Sequence, residues 1–586
     1  MSLRIRVVSA AVAALFLAAC GGEPAGPNGP SLSCGQIPPT TLDVGASTIV
    51  DPTAQGACVA VPSVGAAGAG GAEHVYVAVS TAGAEVTGGI TAPYSIAGQS
   101  AGATTSVTEL PSPLVSAFRG PTTATQFHRM LREREHMFAT HPAYQLFRSR
   151  EGRTAGPSLA LAPPPANRSF FVCTTTRCDN FVTVTATLKH LADKIAIYAD
   201  DAATIPQSYS PAELSDIARI FDDYLYPIDK LNFGDESDID ANGVVQVLFT
   251  PRINALSGNC NTTQSVILGY FFSLDLQREP NGDPVPNSNG GEVFYSLVPD
   301  PGNTQCTIEK ESFAKPNLAP TFVHEFQHMI SYNQHAILRN GGAEETWLNE
   351  GLSHYAEELA GRIVEADEQA SGTTQASGTT YTQYALSNYL NAYDYLSNPE
   401  ATFLISPLDT GGSLEERGAG WLFVLWAADQ FGTSAENFAQ FRVRGTDFTQ
   451  ALVQTQLSGA TNVAAVAGDA FATLVTQWQL ANYLDDLPGF TPSNDRLSYI
   501  THDLRDQFGQ LHAQRPSDFG RPYPLVPDST STGAYSRLGT LRQGSGPHVR
   551  IIQSAGAQGV QFLLSNTSGG TISATAVPRV GLVRVR

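Results

Sequence analysis

Residues 321–330 read TFVHEFQHMI and contain the pattern His324-Glu325-x-x-His328. On a helix, positions i and i+4 lie on one face a turn apart, so both imidazoles can offer a ring nitrogen to a single Zn²⁺. Glu325 stands one position further round, poorly placed as a third ligand but well placed to take a proton from a water that the metal activates. A catalytic zinc site still needs a third protein ligand and one open position. Residues 347–355, WLNEGLSHY, offer Glu350, 22 residues after His328. It follows a Gly341-Gly342 break at which the chain can turn into a second helix. The competing geometry places a third histidine six residues after the second and a glycine at three. Those places hold Gln334 and Ser331, and His335 is one residue out of register.

The segments HEFQHMI and WLNEGLSHYAEE resemble the gluzincin clan of zinc peptidases, and within it the hyicolysin-type secreted neutral metallopeptidases. The resemblance runs from about Phe170 to Asp486. It takes in FDDYLYPIDKLNFGDESDIDANGVVQVLFTP before the site and GAGWLFVLWAADQFG after it. It implies Zn²⁺, cleavage of internal bonds in protein or peptide substrates, and a thermolysin-like two-part catalytic unit. His324, His328 and Glu350 would be the ligands and Glu325 the base. One departure from the thermolysin pattern stands four residues after the Glu ligand, where His354 replaces an Asp, so the group that orients a ligating histidine is unassigned. In this clan a strand over the metal binds substrate backbone as an added strand. Glu292–Val298 alternates well enough to be that edge, an interior strand being its ordinary reading. Gly290-Gly291-Glu292 does not match the GxMEN strand of the clan's aminopeptidases, which favours internal cleavage. A donor for the tetrahedral oxyanion is also needed. His354, Tyr355, Tyr381, Tyr384 and Tyr389 are available, and spacing does not choose among them.

The elements that must position these groups read as an α+β order. Strand-like runs fall at Phe170–Cys173, Phe181–Thr187, Ile195–Ala199, Val244–Thr250, Ile267–Ser273 and Glu292–Val298, with a helix over Ala212–Tyr226. After Pro316 the pattern is helical to about Asp486, so a mixed sheet leads into a helical half. This gives a zinc peptidase domain over 168–490. Short Val, Ile, Thr and Tyr runs between Gly clusters predict a small β-sandwich-like module over 39–110. Runs at Val549–Ile552, Gln561–Leu564 and Leu582–Val585 predict a second over 491–586. Between the first module and the catalytic domain, 111–167 contains a basic segment of helical period. It reads as an amphipathic connector, or as a pro-segment helix that covers an active site until cleaved.

Arg4 and Arg6 precede an apolar run from Val7 to Ala19 that is too short to span a bilayer and suits a signal peptide over 1–19. Leu17-Ala18-Ala19-Cys20 resembles a bacterial lipobox, with Cys20 lipidated and 20–38 serving as a tether, which predicts an exported lipoprotein at the cell surface or outer membrane. The remaining six cysteines form an even set in an exported chain and read as disulfides. Local pairing would join Cys34 to Cys58, Cys173 to Cys178 and Cys260 to Cys306. The formal charge of −20 leaves no basic face for a phosphate backbone, so nucleic acid is not an expected partner. Asp235, Asp238, Asp240, Asn242 and Gly243, within GDESDIDANG, fit the start of a Ca²⁺ loop, although Phe249 stands where the bidentate Glu belongs. The alternative there is a solvated turn. A second functional class, a surface binding or adhesion lipoprotein that keeps a zincin fold without turnover, is opposed by the intact Glu325.

Overall fold

The computed structural model describes residues 34, 37–53, 57–65, 70–100, 122–142, 144, 162–371, 379–433, 435–438 and 441–586. The signal segment, Cys20 and most of the tether lie outside the described residues. Four strands come first: β1 (Ser47–Val50), β2 (Cys58–Val61), β3 (Ala72–Ser80) and β4 (Thr91–Ser100). The six strand-like runs between Phe170 and Val298 then form β5 (Asn167–Cys173), β6 (Phe181–Leu191), β7 (Ile195–Asp200), β8 (Val245–Phe249), β9 (Gly269–Phe271) and β10 (Val293–Ser296). They make one sheet in the order β5-β6-β7-β8-β10-β9. The β7–β8 and β8–β10 pairs are parallel and the others antiparallel. Every residue of β8 is buried, as a central strand covered on both faces requires. The edge expected at Glu292–Val298 belongs instead to β9. β10 is interior because β9 pairs along its outer side, through Phe294–Phe271, Tyr295–Tyr270 and Ser296–Gly269.

The helices that frame the site are α1 (Thr123–Thr140), α2 (Lys315–Tyr332), α3 (Thr346–Ser371), α4 (Thr379–Ser397) and α5 (Leu414–Phe431). Thr122 caps α1 by accepting the Thr125 N–H at 3.2 Å. Ser413 and Glu416 form a reciprocal capping box at the start of α5, satisfying two amides that the first turn leaves without helical partners. α5 is buried from Glu416 to Asp429, with Trp421, Phe423, Leu425 and Trp426 on different faces, so it is a core helix rather than a surface one. It crosses α3 at a glycine contact, where a Cβ on Gly351 would lie 3.0 Å from the Gly420 carbonyl oxygen. That close approach puts Arg417, one turn back on α5, beside Glu350 on α3. A hairpin, β11 (Ala435–Phe438) and β12 (Phe441–Arg444), follows α5.

The C-terminal strands are β13 (Asp528–Thr530), β14 (Tyr535–Arg542), β15 (His548–Gln553), β16 (Val560–Ser565) and β17 (Pro578–Arg584). The β modules expected separately at 39–110 and 491–586 share their sheets, in the orders β1-β17-β3-β15-β13 and β14-β4-β16-β2. Among the described residues, every strand ladder of this unit except β13–β15 joins an N-terminal strand to a C-terminal one. Tyr76, Tyr94, Val549, Phe562 and Leu582, from both sheets, lie in one core. The opposite face of β3, with Val75, Val77 and Val79, joins the core of the helical half. Neither end can satisfy its own backbone groups without the other. A chain cut between Ser100 and Thr123 is therefore expected to give two bands on a denaturing gel and a single peak in native size exclusion; separation under native conditions would contradict the shared sheets.

The three disulfides are Cys34–Cys58, Cys173–Cys178 and Cys260–Cys306, the local pairing expected from the sequence.

Candidate metal centre

α2 presents His324 and His328 on one face, and their Nε2 atoms lie 3.1 Å apart. α3 packs against α2 and delivers Glu350, with Oε2 3.6 Å from His324 Nε2 and Oε1 3.9 Å from His328 Nε2. A tetrahedral zinc ion with bonds of about 2.0–2.1 Å spaces its donors roughly 3.3 Å apart, close to all three separations. Glu350 Oε1 is buried and makes no hydrogen bond, leaving a lone pair for an ion. The residues present fit zinc. Arg417 Nη1 is 2.9 Å from Glu350 Oε2. Burial pushes the Glu350 carboxyl up, but Arg417 and the two histidines outweigh it and hold the group well below the usual carboxylate range, so it stays anionic.

Each histidine is held from behind. His324 Nδ1 is 2.7 Å from Glu357 Oε1, and the same oxygen is 3.2 Å from His354 Nδ1. His328 Nδ1 is 3.0 Å from Asn349 Oδ1. Glu357, seven residues after Glu350 and so on the same face of α3, is the carboxylate partner that the sequence left unassigned. Its partners fix the His324 ring so that Nε2 faces the ligand cluster. Glu357→Ala is expected to weaken zinc binding by about 10–100-fold with little change in helix content, checked by competition with a chromophoric chelator.

Glu325 is 1% exposed, and its Oε2 accepts the Phe271 N–H of β9 at 2.7 Å. The residue next to the first histidine is thereby tied to the outermost strand of the sheet. The other expected groups separate. His335 is buried against Glu344, 3.6 Å away, and takes no part in the cluster. The Tyr355 hydroxyl points to the Arg444 carbonyl. Tyr381 and Tyr389 bond to each other beside Glu358 and Gln507. Tyr384 packs at a groove lined by Tyr224 and Phe322. His354 alone of the proposed oxyanion donors reaches the ligand histidines, its ring 4.9 Å from that of His324.

The acidic loop meets a residue that the sequence did not assign to it. Asp238, Asp240 and Glu292, which precedes β10, bring one oxygen each within 4.8 Å of one another, and Glu292 Oε1 accepts from Ser237 Oγ and the Ile239 N–H. Asp238 Oδ1 accepts the Asn242 and Gly243 amides. Asp235 does not join this group; it pairs with Lys230 at 2.8 Å. Arg168 lies 3.9 Å from Asp240, and Arg278 donates to the Ile239 and Gly290 carbonyls nearby, so part of the loop's negative charge is balanced by the chain itself.

α1 lies across this centre. Arg132, fully buried, places Nε 4.0 Å from Glu350 Oε1 and Nη1 3.2 Å from Glu135 Oε1. Glu135 Oε2 accepts from Asn349 Nδ2 at 3.2 Å. Burial, with Glu350 and Glu325 nearby, outweighs Arg132 and pushes the Glu135 carboxyl up to about 8.

No protein-family model matches the chain. Among curated proteins, the neutral metalloprotease ShpI of Staphylococcus hyicus is 30% identical over 149 residues, 25% of this chain and 31% of that protein. The chain thus spans about a third of that relative's length. Among solved structures, an M1 zinc metallopeptidase of Deinococcus radiodurans aligns over 53% of this chain and 48% of its own, at 13% identity and a TM-score of 0.23. A mutant of that enzyme aligns over 53% and 49%, at 11% and 0.24. Structural likenesses this slight carry no weight for the reaction.

Proposed function

We propose that this chain is a zinc-dependent endopeptidase of the gluzincin type, exported and held at a cell-surface or outer membrane through lipidated Cys20. One observation carries the catalytic part of the reading: His324, His328 and Glu350 converge while Glu325, beside them, bonds to the edge strand β9. The metalloprotease relative supports the same class of reaction. Zinc bound at these three residues would supply a Lewis acid for the scissile carbonyl and would lower the pKa of the attacking water. An extended peptide would add to β9 by backbone hydrogen bonds, which sets its carbonyls beside the ligand cluster. Glu325 would take the proton from the water and hand it to the leaving amine. Glu357 and Asn349 would keep the two imidazoles aimed, and Arg417 would keep Glu350 ionised. His354, pressed against His324 and Glu357, is the side chain best placed to face the developing oxyanion.

The test pairs zinc content with hydrolysis of unfolded casein by protein beginning after Cys20, with and without chelator. One zinc per chain and chelator-sensitive cleavage are expected; a protein without zinc would end the reading. Lipidation is checked by incorporation of labelled palmitate into the full chain, which Cys20→Ser should abolish. Ca²⁺ at Asp238, Asp240 and Glu292 is the finer cofactor reading, supported by the approach of Glu292 to the two aspartates. It should raise Tm in millimolar calcium for the parent and not for Asp240→Asn.

A further inference from the structure

We propose that α1 is an inhibitory plug seated over the candidate centre, so that the conformation described here turns over slowly and full activity needs α1 to leave it. The proposal rests on the peptidase reading and names how that site is controlled. His128, Arg132 and Glu135 stand at i, i+4 and i+7, one face of the helix, and that face is turned into the centre. Arg132 approaches Glu350, and Glu135 bonds to Asn349, which in turn orients His328. His128, half-buried, is on the same face of α1. The flanks of α1 grip the edge strand. Phe127 meets the Tyr270 ring edge-on at 5.0 Å, Phe138 lies 6.1 Å from Phe272, and the Ala124 N–H donates to Ser265 Oγ at 3.0 Å. Tyr270 and Phe272 bracket Phe271, whose amide holds Glu325. Phe127 and Phe138 thus rest on side chains that flank the edge to which a peptide would be added.

The polar groups of α1 are also poorly served for a permanent core. Arg132 Nε and Nη2, His128 Nδ1 and His136 Nε2 are buried without a hydrogen bond, and Arg132 Nη1 and Glu135 Oε1 have only their mutual contact at 3.2 Å. Buried donors in a settled core are nearly always paired. Withdrawal of α1 would return these groups to water while leaving the sheet and the four helices of the centre intact.

The test uses protein beginning after Cys20, as the parent and as R132A/E135A, which removes both members of the buried pair and so strands neither charge. F127A/F138A, which loosens the grip on β9 from the other flank, stands in if the first variant fails to fold. Two rates are read: cleavage of a quenched, unstructured peptide, and extraction of zinc by excess chelator. The expected result is a rise of at least about tenfold in kcat/KM and faster zinc loss. A synthetic peptide of residues 122–142, added in trans, should reverse both. Faster zinc loss without cleavage in any sample would support the plug and sink the peptidase reading. A parent that already cleaves as fast as a folded variant, with unchanged zinc extraction, would overturn the plug and leave the peptidase reading standing.

Discussion

Glu325→Gln is expected to retain one zinc per chain and to lose cleavage by about 10³-fold or more, the scale on which a general base contributes and, at about 1.4 kcal/mol per tenfold, roughly 4 kcal/mol of barrier. Zinc is retained because Glu325 is absent from the ligand cluster; its Oε2 is engaged by the Phe271 amide. A glutamine keeps an acceptor oxygen for that amide, so β9 stays in register and the comparison isolates the proton transfer. Burial also raises the Glu325 carboxyl above its ordinary value, so losing its charge costs the fold little. The measurement is metal content by mass spectrometry alongside peptide hydrolysis in the α1-loosened variant. Full hydrolysis in a preparation free of contaminating protease would remove Glu325 as the base.

Glu350→Ala is expected to fail differently, losing zinc, activity and stability together. Arg417 and Arg132 both face this carboxylate, and without it two guanidinium groups are buried with their charge less compensated. Breaking a buried ion pair from one side costs about 3–5 kcal/mol, a fall in Tm that calorimetry resolves easily. Arg417→Met added to Glu350→Ala should recover part of that loss without recovering zinc. Stoichiometric zinc in Glu350→Ala would mean that His354 or another side chain supplies the third bond.

The convergence of His324, His328 and Glu350 was legible because its signal is local. An i, i+4 histidine pair and a glutamate on the next helix need only helical period and a glycine break to be read. The strands of the catalytic sheet were legible for the same reason, as were three disulfides whose partners are near in sequence. What the sequence hides is set by crossings. Arg417 reaches Glu350 only because Gly351 and Gly420 let two helices touch, and no periodicity encodes that. Glu357 was within reach, two turns beyond Glu350 in the Glu357-Glu358 pair; a search for a carboxylate at i+7 as well as i+4 would have found it. β9 was recognised as a strand but not as the edge, since strand order follows from pairing and not from composition. The basic pattern of 124–150 pointed to a helix whose cover of the site was one of two readings, and only its burial face shows that Arg132 and Glu135 turn inward.

The strand pairing at the chain's two ends sets a timetable for synthesis. Val77 pairs with His548 and Ser80 with Pro578, so β3 waits for roughly 470–500 residues to be made before either neighbour exists. At about 5–20 residues per second that is a delay of about 25 to 100 seconds. Throughout it, β1–β4 present open edges and apolar faces to whatever lies nearby, a hazard for aggregation. Contacts so distant in sequence also form slowly, so the double-layered unit should be the last part to mature, after the catalytic sheet and helices have closed. A nascent chain stalled before residue 578 would then hold an assembled centre on an unfinished base.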